Sequence, residues 1–254
     1  MTKRFKSKTA GSRIRLAVSL TTIALCLAAV GIGLFVAGRS RSPVAVRIDA
    51  LDVDLREYRL IAEEERTDVL AELTSRWGVE ADAAFWQTER DGITPAGELE
   101  RRTIERLTVI KAEQQMMQEA GILESADYAA FYDDWQEENR RRQEASSRGE
   151  VLYGPVSYTE KQYYTKRLDQ GRMALQEQLS AGQLAVTEAE RRAFYEQEDE
   201  EFLFEGETRK PLDQVASVID KRLVEIKYEQ LVAQRAQAAQ VTVYRNVLDN
   251  IRYG

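Results

Sequence analysis

Residues 16–38, LAVSLTTIALCLAAVGIGLFVAG, carry no charged side chain. As a helix these 23 residues are long enough to span a hydrocarbon core of ~30 Å. Lys3, Arg4, Lys6, Lys8, Arg13 and Arg15 precede the run, and Arg39 and Arg41 follow it. By the positive-inside rule, residues 1–15 are a cytoplasmic basic tail, residues 16–38 a transmembrane signal anchor, and everything beyond lies outside the cytoplasm. A cleaved signal peptide is the competing reading, since Val36-Ala37-Gly38 offers small residues before Arg39. The run is longer than the ~7–15 apolar residues usual in such signals. Cys26 follows Leu25, where a lipobox needs a small residue, so it reads as a cysteine buried in the membrane.

The lone cysteine and the absence of histidine remove several chemistries together. An internal disulfide, Cys/His zinc sites, histidine acid–base catalysis and Ser-His-Asp or Cys-His triads are all excluded. Carboxylate chemistry survives, but with 43 acidic residues no single pair is informative. Residues 42–254 hold 28 Lys and Arg against 43 Asp and Glu, a net charge of −15. So acidic a body excludes nucleic acid as a partner.

Beyond the linker 39–43 (RSRSP), residues 44–254 read as one extracytoplasmic helical domain. Four prolines and 14 glycines are few for 254 residues and favour long helices. Val44, Val46 and Ile48 alternate with Ala45 and Arg47, which is strand periodicity, and Val241-Thr242-Val243 is a second short β-branched run. Two lone strands at the ends of a helical domain are expected to pair as a minor two-stranded sheet. Between them the first helix covers about 54–76 and stops at Gly78. Thr94-Pro95 opens a second, ending near Ala120 and Gly121. Ser125 is expected to cap a third that ends by Gly149. Residues 150–157 are expected to be extended, because Pro155 disfavours helix at Gly154. Thr159 starts a fourth helix, and Thr187 with Glu190 forms a capping box for a fifth. Pro211 opens the last, whose apolar residues on more than one face mark it as the expected centre of the bundle.

This order of features resembles the N-terminal chaperone domain of SurA- and PrsA-type foldases, which is related to part of trigger factor. The resemblance is carried by VAVRIDALDVDLREYRLI, ERLTVIKAEQQMMQEAGI, LAVTEAERRAFYEQEDEEF and LDQVASVIDKRLVEIKYEQLVAQRAQAAQVTV, over roughly 44–123 and 184–251. It implies an all-α fold, a transmembrane helix followed by a SurA-like bundle. It also implies a chaperone function, the binding of unfolded or secreted polypeptides. Many relatives insert a parvulin prolyl isomerase before the last helix. Here only about Asp199 to Lys210 joins the flanking helices, too few residues for a core. The chain is therefore read as a non-enzyme, with no cofactor and no metal. A membrane-tethered adaptor for one folded partner is the alternative, and a prolyl isomerase by family association a weaker one.

Binding an unfolded chain needs adaptable, partly exposed apolar surface. Trp77, Phe85, Trp86, Tyr153 and Tyr158, near expected helix ends and loops, are the peptide-binding candidates. Met116 and Met117 read as core. Arg140-Arg141-Arg142, among Glu137, Glu138 and Glu144, reads as a solvated helix face. Glu198, Asp199, Glu200 and Glu201 read as a solvated loop edge lacking the spacing of a calcium loop.

Overall fold

The strand pattern after Pro43 runs into Asp49, a residue that tolerates a left-handed backbone. In the computed structural model, which describes residues 42–206 and 208–252, the chain reverses at that point. Val44–Ile48 (β1) and Leu51–Asp54 (β2) form an antiparallel hairpin closed by the pair Ile48 and Leu51. Asp49 has φ 51°, a conformation that costs Asp less than it costs a β-branched residue. Its side chain accepts a hydrogen bond from the Gln240 N–H at 2.8 Å, which ties the turn to the far end of the domain. There Val241–Val243 (β5) pairs antiparallel with β1, with Val46 opposite Val243.

The two runs thus pair as expected, but the sheet is three-stranded, in the order β2-β1-β5. The extra strand arises because residues 44–53 fold back on themselves rather than forming one extended run.

Four of the helices begin where a side chain accepts from their unpaired terminal N–H groups. Leu55–Trp77 (α1) is capped by Asp54, which accepts from the N–H groups of Arg56 and Glu57. It stops at Gly78, whose φ of 62° suits a residue without Cβ. Pro95–Glu119 (α2) has Thr94 as N-cap. Tyr128–Ser147 (α3) starts two residues later than a Ser125 cap requires. Asp127 occupies the cap position, and Ser125 Oγ instead accepts from the Asp127 N–H at 3.1 Å in a tight local turn. Glu160–Ser180 (α4) and Glu188–Gln197 (α5) each carry a complete capping box, Thr159 with Gln162 and Thr187 with Glu190.

Residues 198–211 make a single turn of 3-10 helix, Glu201–Leu203, and a small hairpin of Phe204–Glu205 (β3) with Thr208–Arg209 (β4). Leu212–Ala238 (α6) and Arg245–Leu248 (α7) complete the domain.

The centre of the bundle is α2 rather than α6. Twelve residues of α2 are buried, against four of α6. The reason is chemical: the buried set of α2 includes Thr103, Thr108, Lys111, Glu113 and Gln114, whose polarity hides the burial from an apolar pattern. Glu113 receives a two-pronged bond from Arg172 of α4, at 2.8 Å to each oxygen, and a third from the Tyr228 hydroxyl of α6 at 3.0 Å. Three helices are keyed together at that carboxylate. Met116 and Met117 pack in the core beside Leu175, Leu184 and Val232, as expected.

Among the described residues no helix is long and apolar enough to cross a membrane. The segment 16–38 lies outside the described residues.

Candidate functional site

Five aromatic residues were candidates for peptide contact, and the fold sorts them into two places. Trp77, Phe85 and Trp86 belong to a hydrophobic cluster with Val69, Leu73 and Leu99. Phe85 packs edge-to-face on Trp86 at 5.5 Å and on Trp77 at 6.2 Å. Phe85 and Trp86 are buried, and Trp77 is half-buried with its indole N–H donating to Asp91 at 3.2 Å. Trp86 also lies under the Arg66 guanidinium, 5.2 Å from the ring. The surroundings of this group are those of a core seal between α1 and α2.

Tyr153 and Tyr158 sit together on the segment that joins α3 to α4. Its sequence, EVLYGPVSY, cannot continue a helix, because Pro155 lacks an N–H and restricts Gly154, which adopts φ 88°. A segment without secondary structure must find partners for its backbone elsewhere. Here α3 supplies them. Arg142 donates to the carbonyl oxygens of Tyr153 and Pro155, each at 2.7 Å, and its guanidinium lies 5.0 Å from the Tyr158 ring. Asn139 bonds both backbone groups of Tyr158, accepting from its N–H at 2.7 Å and donating to its carbonyl at 2.9 Å. The Trp135 indole donates to the same carbonyl at 2.8 Å.

Trp135, Asn139 and Arg142 recur every three to four residues, so they stand in one row on α3. This corrects the reading of the arginine run. Arg140 and Arg141 pair with Glu137, Glu144 and Glu138 on a solvated face, whereas Arg142 is buried at 6% exposure and clamps the loop.

The clamp holds the backbone but leaves three apolar side chains outside, while Leu152 and Tyr158 are half-buried. Val151 is 84% exposed, Tyr153 91% and Val156 48%, all within six residues. Scattered exposed apolar residues need no explanation, but three within six residues of one strapped loop are a local concentration of apolar surface. The spacing of Trp135, Asn139 and Arg142 was visible in the sequence, yet nothing local identified their partner.

Sequence reasoning also passed over a buried ion pair between α1 and α2. Lys111 Nζ lies 2.9 Å from Glu57 Oε1, with both side chains 1% exposed. The ammonium also donates to Gln114 at 3.0 Å and to the Ala126 carbonyl at 3.1 Å, and the Tyr164 hydroxyl donates to Glu57 at 2.7 Å. Burial pushes the Glu57 carboxyl above its ordinary range, against the pull of Lys111 and Tyr164. The Tyr164 hydroxyl is held well above its ordinary range by burial and by the neighbouring Glu57 charge. The available signal was positional: Glu57 stands one turn before Ile61 on the apolar face of α1.

The acidic stretch after α5 is engaged with arginines: Asp199 with Arg209 at 2.6 Å and Glu200 with Arg222 at 3.5 Å. Among the described residues no group of three metal-ligating side chains comes together.

No family model matches the chain, and no solved structure matches it. One curated protein, the "Chaperone for lacto-N-biosidase" of Bifidobacterium longum subsp. longum, is 25% identical over 167 residues. This chain is similar to a chaperone. The match takes in 65% of the chain and 59% of that protein, so the chain spans less than two thirds of its relative's length. None of these matches is to SurA or PrsA, and that resemblance rests on the helix order and pattern of the sequence.

Proposed function

We propose that this chain is a chaperone-like protein that binds unfolded or secreted polypeptide outside the cytoplasm, tethered to the membrane by residues 16–38. The observation that carries the reading is the strapped loop. Three exposed apolar side chains stand on a backbone immobilised by Arg142, Asn139 and Trp135. A contact surface fixed before binding loses less entropy when a partner arrives. The distant relative named as a chaperone supports the same class of function, and the SurA/PrsA-like helix order agrees with it.

A second reading is supported by the same loop. A rigid patch suits one partner better than an adaptable, methionine-rich groove would. The relative is named for a single enzyme. A chaperone or adaptor dedicated to one partner is therefore the alternative. The connection between α5 and α6 is a short hairpin, which leaves no room there for an inserted isomerase domain.

The test is suppression of aggregation by the full chain held in nanodiscs. Several chemically unfolded proteins should aggregate more slowly at near-stoichiometric ratios and without ATP. Replacing Val151, Tyr153 and Val156 together by Ser should abolish most of that effect. Full suppression by the triple variant would remove the loop from the account. Suppression of one client alone would select the dedicated-partner reading.

A further inference from the structure

A cavity of about 560 Å³ opens between the start of α1, the C-terminal end of α2, the connection 122–127, the first turns of α3 and the N-terminal half of α4. Met117, Ile122, Leu123, Phe131 and Leu168 line it, and Glu57 forms part of its wall. This volume lies within the ~300–1,000 Å³ typical of small-ligand sites, and an apolar lining with few converging polar groups is their usual chemistry. It is far larger than the ~30 Å³ share of one water.

Glu57 gives the cavity a chemical preference. Its Oε1 takes both Lys111 and the Tyr164 hydroxyl, whereas its Oε2 is buried with no hydrogen-bond partner among the described residues. Nearby hydroxyls are already committed. Tyr164 donates to Oε1, and Tyr128 donates to Glu160 at 2.6 Å. A buried carboxylate oxygen without a donor is costly, so a group that brings one is favoured. That donor should be neutral. The Lys111 ammonium already balances the carboxylate, and a second cation beside it would meet like charge. The rings of Phe131 and Tyr128, tilted at 5.0 Å from one another, suit a flat partner. Asp134 and Arg167, paired at 3.2 Å in the lining, are 54% and 40% exposed and can separate into solvent.

We propose that this cavity binds a flat, neutral aromatic group carrying one hydrogen-bond donor, of the indole or phenol type, with the donor directed at Glu57 Oε2. Such a group arrives either as a side chain of a bound polypeptide or as a free small molecule. The polypeptide source rests on the chaperone-like reading; the cavity's chemistry does not.

The experiment uses the full chain in nanodiscs, labelled with ¹³C at the methionine methyl groups. Met117 lines the cavity and reports on it, while Met173, outside the lining and 69% exposed, is the control. Indole should shift Met117 saturably and leave Met173 in place. 1-Methylindole, which has no donor, should bind at least about tenfold more weakly. Ala130→Phe, which places a ring in the lining, should abolish the Met117 response while the Met116 and Met173 signals stay where they were. Binding of N-acetyl-tryptophanamide alongside indole assigns the polypeptide source. Binding of indole alone assigns a free small molecule and keeps the ligand class. Equal affinity for 1-methylindole, a Met117 response that never saturates, or an unaffected response in Ala130→Phe overturns the proposal. None of these readouts depends on aggregation suppression, so the cavity and the loop stand or fall separately.

Discussion

Replacing Arg142 by Ala should free the 150–158 loop while leaving the helical core standing. The side chain makes two hydrogen bonds from a charged donor to the Tyr153 and Pro155 carbonyls, each at 2.7 Å. Such bonds contribute roughly 1.5–3 kcal/mol each. Both carbonyls lie on an exposed loop, so water recovers part of that on opening. The Trp135 and Asn139 bonds to Tyr158 remain in the closed loop and break with it on opening. A net loss of about 2–3 kcal/mol in the free energy of loop opening follows. The Tyr158 amide, now bonded to Asn139 at 2.7 Å, reports on that opening by hydrogen exchange. Its exchange should accelerate roughly 30- to 150-fold, since each 1.4 kcal/mol is a factor of ten. Amides in the core of α2 should be little changed. Arg142→Lys should fall between, because an ammonium presents a point charge rather than a planar fork. Aggregation suppression should weaken in step, since the partner must then order the loop. Unchanged exchange at Tyr158 would refute the clamp. A freed loop with undiminished suppression would refute its role in binding.

Trp86→Ala should lower unfolding stability by roughly 3–5 kcal/mol in urea titration, the usual cost of truncating a buried Trp. Tyr153→Ala, at a position 91% exposed, should stay within about 0.5 kcal/mol of the parent. Glu98 is held down from 4.5 to about 2 by its bond to Arg101, against burial and with help from Arg102. A depressed carboxylate contributes stability that is complete above its unfolded value and is lost as pH falls from about 4.5 toward 2. Unfolding free energies from urea titration at pH 6 and pH 3 should therefore converge in Glu98→Gln relative to the parent, by about 1–2 kcal/mol after allowing for the half-exposed Arg101.

Signals confined to a few residues were legible in the sequence. Thr94-Pro95, Thr159, Thr187 with Glu190, and Gly78 all act where they stand, and each marks a helix end within a residue or two. The strands at the two ends were legible as well, although the turn at Asp49 made three strands from two runs. What escaped depends on partners distant in the chain. Nothing local marks Lys111 and Glu57 as partners, and only the packing of two helices brings them to 2.9 Å. Arg142 is indistinguishable from Arg140 and Arg141 until the loop folds back over it. The centrality of α2 was masked by its buried polar residues: Thr103 and Thr108 donate to carbonyls of their own helix, Gln114 accepts from Lys111, and Glu113 accepts from Arg172 and Tyr228 of two other helices. Tyr153 and Tyr158 shared a loop in sequence and share one in the fold, but the residues lining the 560 Å³ cavity come from five segments and had no common signature.

The central claim is that the strapped loop touches unfolded polypeptide. A photo-crosslinking residue at position 153 of the full chain in nanodiscs tests it directly, with one defined client offered folded and unfolded. The account predicts an adduct with the unfolded client, little with the folded one, and little from the same residue at exposed Glu205 on β3. No adduct at 153, or equal adducts at 153 and 205, would contradict it.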